Sequence, residues 1–396
     1  MKQEDSQLSE GRVLLLALVA AVVTANAYYI HPIIARVAES FGVRDAMVGA
    51  VPAFTQVALA LGIFFLLPLG DRISNRLLIT LSILAQVIAL VVMAVADDFW
   101  VFVAASTALG FFTITPYLLP AYASRRVAVA RLGHVTAVLA AGVIGGVVLS
   151  RTASGVVGEF LGWRYMYWIA AGLMLASTLA LRALLEGDAT GAGATGTGSY
   201  RQLISSLLPL ARRHPEVIAS GVIQGLSFGI FLLVWMGIGL HLTSPEVGLG
   251  VDDVGYLGLF SIVNVVTTPP LGRWADRVGP RRARVVVAVV QMAGLALLFF
   301  TGTSFWLLAV PIVIISVAGP LVDVTGRMTA LGAAPEIRTR LMSLYIVLMF
   351  LGGGVGSWVG TIAYDLGGWM LNVSLACFCS TLIVLLSMAA LRSERC

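Results

Sequence analysis

Long apolar runs, each near the length of a membrane crossing and each ended by a short polar cluster, fill almost the whole chain. A helix needs about 20 predominantly apolar residues to cross the hydrocarbon. Runs of that length predict twelve spans, near residues 13–35, 47–69, 77–96, 100–122, 134–157, 165–185, 217–240, 254–272, 285–302, 305–329, 341–362 and 370–391. The turns at 96–100 and 302–305 are the shortest.

One interval interrupts the series. Residues Gly187 to Gly198 read Gly-Asp-Ala-Thr-Gly-Ala-Gly-Ala-Thr-Gly-Thr-Gly, a flexible-linker composition. Tyr200 to Arg213 then places Leu203, Ile204, Leu207, Leu208 and Ala211 on one helical face, with Arg201, Arg212 and Arg213 beside it. That predicts a short helix lying in the membrane interface. The expected organisation is a six-helix bundle over 1–185, a linker over 186–216 and a second six-helix bundle over 217–396.

The polar punctuation repeats. Asp71-Arg72 after span two is echoed by Asp276-Arg277 after span eight, 205 residues later, and Gly162-Trp163 is echoed by Gly368-Trp369 to within one residue. A chain that repeats its charged punctuation at half its length is built from two similar halves. The fold class expected is therefore an all-α membrane protein of two pseudo-symmetric six-helix bundles.

Composition agrees. Apolar residues make up 59% and charged residues 11%, with mean hydropathy +0.96. A soluble domain carries roughly 25% charged residues, so most of this surface must face lipid. With the N-terminus placed inside, 21 of the 25 Lys and Arg fall on the inner side. Only Arg36, Arg44 and Arg164 fall outside, and Arg151 lies within a span. This bias predicts both termini and the linker in the cytoplasm. The net charge of +5 thus reads as membrane orientation and not as nucleic-acid binding. The polar, mixed-charge start, Met1 to Glu10, predicts no cleavable signal peptide.

Chemistry of other kinds lacks its residues. The three cysteines, with Cys377 and Cys379 in the last span, form neither a disulfide framework nor a zinc pattern. Walker motifs and His-x-x-x-His are absent. The expectation is a non-enzyme without cofactor or metal. A ligand-binding sensor is the remaining alternative to a transporter, but the tails are too short for a signalling domain.

The stretch Gly272-Arg273-Trp274-Ala275-Asp276-Arg277-Val278-Gly279-Pro280-Arg281-Arg282 resembles the Gly-x-x-x-Asp-Arg-x-Gly-x-Arg-Arg loop of the major facilitator superfamily. Its first copy has Leu67 for the leading Gly and Ser74 for the inner Gly. Two further stretches are similar to the bacterial drug:proton antiporter and sugar-efflux branch. They are Ala25 to Pro32 in span one, and Ser150-Arg151-Thr152-Ala153-Ser154-Gly155 followed by Gly162-Trp163-Arg164. Many such antiporters carry Arg four residues before a Gly in span four, where this chain has Ser106 before Gly110. The resemblance implies a secondary transporter in the bacterial inner membrane. It would move a small molecule by alternating access, as a monomer, with the proton as coupling ion and export as the direction. Uptake or facilitated passage of a small organic anion is the alternative.

The resemblance also implies that spans one, four, seven and ten line the pathway. The polar and aromatic positions there are Asn26, Tyr28, Tyr29 and His31, then Thr113, Thr115 and Tyr117, then Gln224 and Trp235, with Gln56 and Asn264 on spans two and eight. Each could equally tie helices together. Asp323 is the only acid expected inside a span, and Arg327 follows at i+4. The pair is either a proton-titrating centre or a structural ion pair, and a count of about 1.5 Å per residue from Phe305 puts it near the inner edge. Arg151 could attract an anion, gate the outer side with Glu159 or Asp98, or snorkel outward. Asp71, Arg72, Arg76, Asp276, Arg277, Arg281 and Arg282 are expected to form a cytoplasmic latch, each Asp capping a neighbouring helix. Gly142-x-x-Gly145-Gly146 and Gly352-Gly353-Gly354-x-Gly356 predict close crossings between the halves. Pro116, Pro120, Pro269, Pro270 and Pro320 predict kinks.

The arginine bias generates a direct test. A cysteine introduced at Gly193 is expected to resist an impermeant thiol reagent added outside intact cells and to react once the membrane is opened. Labelling from outside would reverse the topology.

Overall fold

The structure is a computed structural model that describes residues 8–71, 73–124, 126–184, 207, 209–301, 304–332 and 335–392. The described residues are helical apart from turns and contain no strand. Most of the 186–216 linker and of its expected interfacial helix lies outside them.

Among the described residues, helical segments corresponding to all twelve expected spans run in the order expected. Span one is Glu10–Phe41, span two Asp45–Gly70, span three Asn75–Val95 and span four Phe99–Phe112 with Thr115–Ser124. Spans five and six are Val129–Phe160 and Trp163–Leu184. Span seven is Pro215–Leu242, span eight Val251–Val278, span nine Pro280–Phe300 and span ten Phe305–Leu331. Spans eleven and twelve form one helical run, Pro335–Arg392, broken where Gly367 and Gly368 leave helical geometry. Several helices extend one or two turns past the apolar runs, because polar residues at their ends continue the backbone pattern beyond the apolar stretch. Large apolar side chains point outward around the bundle, among them Ile88, Val266, Phe300, Trp306 and Leu366, each at least 66% exposed. Such a belt suits lipid and not water.

Proline sets where two spans break. Pro32 offers no N–H to the carbonyl four residues earlier, and span one unwinds over Asn26–Tyr29 just before it. The Tyr28 carbonyl accepts from the His31 N–H instead, at 3.2 Å. Pro116 does the same to span four, leaving the Phe112 carbonyl without its i+4 donor. Gln86 of span three supplies that donor from its side chain, Nε2 to Phe112 O at 3.0 Å. Its Oε1 accepts from Asn26 Nδ2 and from Thr113 Oγ1, both at 3.3 Å. One amide thus clasps both broken helices. Gln291 sits 205 residues after Gln86, in span nine, and bonds Ser227 of span seven at 3.2 Å.

Small residues set the helix crossings. A β-carbon at Gly142 or Gly146 would stand 2.3 Å from the carbonyl oxygen of Ala17 or Ala21 in span one. In the second half, Gly352 and Gly356 of span eleven press on the carbonyls of Gly225 and Gly229 in span seven at 2.2 and 2.1 Å by the same measure. These glycines therefore cross helices within a half, contrary to the expectation that they join the halves. They occupy matching places because each half repeats the same packing. Of the two runs, Gly354 does face the other half, against Ala53 of span two. The remaining inter-half crossings use Gly155 against Gly255 (spans five and eight), Gly49 against Thr361 (two and eleven) and Gly239 against the His31 carbonyl (seven and one). Gly279 works differently. Its φ of +95° opens the turn between spans eight and nine, a conformation that a β-carbon strains.

The contrast between neighbouring glycines is testable. Gly146→Ala is expected to destabilise the protein by about 1–3 kcal/mol, because the clash is with backbone. Gly145→Ala meets nothing within 4 Å. It should match or exceed the parent, since Ala favours a helix over Gly by about 0.8–1.0 kcal/mol. Thermal unfolding of both variants in one detergent measures the difference; equal midpoints would refute the crossing.

Candidate substrate pathway and gates

The arginine-rich ends of the helices are taken as the inner side. Where the helices bring the halves together, polar contacts between them cluster toward the other, outer side. Trp358 Nε1 donates to the Ala46 carbonyl at 3.1 Å, and Thr152 Oγ1 donates to the Gly255 carbonyl at 3.0 Å. Glu159 accepts from the Val251 N–H at 3.3 Å and meets Arg36 at 3.4 Å. Arg44 reaches Asp365 at 4.0 Å. These contacts tie span two to span eleven and span five to span eight around the outer rim.

Arg151 lies inward of that rim. Its side chain is fully buried, at 0% exposure. The Cζ stands 4.1 Å from the centre of the Trp235 ring, 4.7 Å from Phe231 and 5.7 Å from Tyr28. Its Nε approaches His31 Nδ1 at 3.4 Å, while Nη1 and Nη2 have no hydrogen-bond partner. Span five supplies the cation, span one Tyr28 and His31, and span seven the two rings. The expected pairing with Glu159 or Asp98 does not occur. Glu159 is taken by Arg36, and Asp98 caps span four through the N–H groups of Trp100 and Val101 at 2.8 and 3.0 Å. Nor does Arg151 snorkel, because helices enclose it on every side. Cation–π contact is worth about 2 kcal/mol when desolvated. Removing an ion from water costs several kcal/mol, so the rings offset only part of that cost.

An aromatic chain leads inward from this plug. Phe231 stacks on Phe228 with centroids 5.8 Å apart, Phe228 meets Phe350 edge-on at 5.6 Å, and Phe350 meets Tyr117 at 6.1 Å. Tyr117 belongs to span four and Phe350 to span eleven, so this row also spans both halves.

The second charged centre is on the inner side. Arg327 Nε donates to both oxygens of Asp323 at 2.9 Å, and the Tyr345 hydroxyl of span eleven donates to Asp323 Oδ1 at 2.9 Å. The side chains of Asp323 and Arg327 are 24% and 33% exposed, against 0% for Arg151. Span ten continues to Leu331, eight residues past Asp323, so the acid lies about 12 Å inside the helix end.

The expected pathway residues divide. Tyr28, His31 and Trp235 converge on Arg151, and Tyr117 faces Phe350. Asn26 and Thr113 instead serve the Gln86 clasp. Tyr29 is buried, and its carbonyl accepts from Ser154 Oγ. Asn264 accepts from Thr268 one turn on. Gln56 and Thr115 are fully buried with side-chain polar atoms unpartnered, as is Gln224 Oε1. Ser106, at the position where Arg was noted above, cross-links span four to Thr55 of span two. Ser261 and Ser316 make the matching link between spans eight and ten at 2.9 Å.

The latch expectation is corrected in part. Asp276 is exposed in the last turn of span eight and makes no hydrogen bond or ion pair among the described residues. The next helices begin at Ser74, whose Oγ accepts from the Leu77 N–H at 3.2 Å, and at Gly279. These are equivalent positions 205 residues apart, and neither is the Asp. Arg281 Nη1 donates to the Ala390 carbonyl at 3.2 Å, near the C-terminal end of span twelve, where a cation is favoured. Arg277 and Arg282 are exposed and Arg76 is half-buried. The Asp71 side chain and Arg72 lie outside the described residues.

Sequence reasoning missed Gln86, Gln291, Tyr345 and Arg284. Arg284, one of the 21 basic residues on the inner side, is 2% exposed. It bonds Ser220 Oγ at 3.0 Å and the Thr325 carbonyl at 2.8 Å, pinning spans seven, nine and ten together. Gln86 and Gln291 carried a usable signal, an isolated amide repeated at the 205-residue offset. Tyr345 carried none.

The model of the Major Facilitator Superfamily matches residues 16–243 and 217–395. A probable transporter of Streptomyces coelicolor, SCO4007, is 29% identical over 90% of this chain and 82% of its own length. The multidrug resistance protein MdtG of Salmonella choleraesuis is 21% identical over 91% and 90%. Among solved structures, the nucleoside transporter NupG superposes with a TM-score of 0.78 at 13% identity, covering 96% of this chain and 99% of that one.

The outer contact predicts a cross-link. A β-carbon at Gly49 would lie 3.0 Å from Cβ of Thr361, near disulfide range. With the native cysteines replaced by serine, Gly49→Cys combined with Thr361→Cys is expected to oxidise readily to an intramolecular disulfide that stops transport and is reversed by reductant. Free thiols after mild oxidation, read by mass-tagging, would contradict the closed outer side.

Proposed function

The chain belongs to the major facilitator superfamily, and we propose that within it the protein is a monomeric proton-coupled exporter of small amphipathic molecules in the bacterial inner membrane, with both termini in the cytoplasm. The observation that carries this reading is the unequal access of the two charged centres. Asp323, held by Arg327 and Tyr345, keeps about a quarter of its side chain open on the inner side, while Arg151 is sealed under the outer rim. This arrangement suits an inward-facing state, in which cargo and protons exchange with the cytoplasm.

The chemistry of the cycle follows from the Asp323 cluster. The Asp323 carboxylate is held between a guanidinium and a phenol. Asp323 and Arg327 share span ten, whereas Tyr345 comes from span eleven. Sliding of span eleven past span ten removes the Tyr345 hydrogen bond and weakens the anion's hold. A proton taken up with the outer side open then leaves to the cytoplasm when the cluster re-forms. Ion-pair and hydrogen-bond contacts of this kind are worth about 1–3 kcal/mol, enough to bias two states without locking either. Relatives named for multidrug resistance and for sugar efflux support export as the direction. His31 has its Nδ1 against a guanidinium and is a positioning group in this scheme.

Asp323→Asn is expected to abolish uphill, pH-driven movement in proteoliposomes and to leave downhill exchange of the same substrate. Tyr345→Phe should keep coupling but change its pH dependence, because it removes one hydrogen bond to the carboxylate. Normal accumulation by Asp323→Asn under a pH gradient would make the cluster structural.

A further inference from the structure

We propose that the carried molecule is an aromatic carboxylate, and that the guanidinium of Arg151 is its counter-charge. This deepens the transporter reading and rests on it, but it does not depend on Asp323 or on the proton.

Two observations meet at Arg151. The cation is fully buried with both terminal nitrogens unpartnered, and it pairs with no carboxylate among the described residues. A structural arginine in a helical bundle is tied up, as Arg284 is by Ser220, Thr325 and Thr329. Arg151 is not. The second observation is how its surroundings are shaped. A guanidinium is a flat plate with N–H groups around its edge. Rings from Trp235 and Phe231 lie against it. His31 takes Nε, and what remains is the Nη1/Nη2 edge, the edge that a carboxylate grips with two parallel bonds.

The rings then have a second use. Phe228, Phe231, Phe350 and Tyr117 continue from this plug toward the inner side. A planar ring attached to the carboxylate can stack along that row. A sugar has neither the charge nor the flat apolar face. A cationic drug would be repelled by Arg151, which pairs with no acid among the described residues. His31 Nε2 is also buried without a partner and can donate to the same anion.

The site also sits where binding can drive the cycle. Arg151 belongs to one half and Trp235 and Phe231 to the other, so the halves close around it. An anion seated on the Nη edge satisfies the charge that closure buries. Exchange of an anion outward for a proton inward moves charge, so the reaction responds to membrane potential.

The test uses benzoate and its uncharged isostere benzamide, with the purified full-length protein in lipid nanodiscs and calorimetry as readout. Benzoate is expected to bind the wild type at least tenfold more tightly than benzamide. It should lose at least tenfold in Arg151→Gln and regain part of that in Arg151→Lys. Chloride and acetate at equal concentration serve as arms for charge without a ring, and are expected to bind at least tenfold more weakly than benzoate. In proteoliposomes, benzoate efflux should be electrogenic. Equal binding of benzoate and benzamide, binding of acetate as tight as benzoate, or no benzoate binding to a wild type that transports another compound would each overturn the proposal. The wild-type comparison of the two probes stands even where Arg151→Gln misfolds. Loss of coupling in Asp323→Asn with benzoate binding intact would separate failure of the proton scheme from failure of the anion site.

Discussion

A backbone that leaves water must satisfy its own N–H and C=O groups, and the rest of this structure depends on how it does so. Prolines at 32 and 116 remove donors in the middle of the two helices that face the centre of the first half. The Gln86 amide supplies one of them and holds both breaks in register through Asn26 and Thr113. Without that clasp the unwound Asn26–Tyr29 segment would carry loose polar groups, and Tyr28 and His31 would not be held against Arg151. Glycine crossings then bring the helices close enough for such short side chains to reach.

The two halves repeat this scaffold and differ in their charges. Gln86 and Gln291 correspond, as do Ser74 and Gly279, and the Thr55–Ser106 and Ser261–Ser316 links. At the same 205-residue offset, Arg151 corresponds to Gly356 and Asp323 to Leu118. Arg151 stands in the first half near the outer rim, and Asp323 stands in the second half toward the inner side. Repetition gives two bodies that can rock against each other. Departure from repetition places one cation near the outer rim and one acid toward the inner side.

The two charged centres are satisfied in different ways. Asp323 has a guanidinium, a phenol and partial contact with solvent, so its charge is supported by short bonds that can be broken one at a time. Arg151 has ring faces and one imidazole nitrogen, which support a cation without neutralising it.

Span number, order and the twofold repeat were written in the sequence, because apolar length and charged punctuation are local properties that a one-dimensional pattern carries. The Asp323–Arg327 pair was legible for the same reason, being one helical turn apart. Its third member, Tyr345, was not, since it arrives from the next helix. The close helix approach of the glycine runs was legible, but not their partners, because a small residue shows that something comes near and not what. Arg151 was visible as an oddity within an apolar run. Only the tertiary structure decided that it meets rings and an imidazole and, among the described residues, no carboxylate, because those groups come from spans one and seven, 80 or more residues away along the chain on its nearer, carboxyl-terminal side and about 120 on the other.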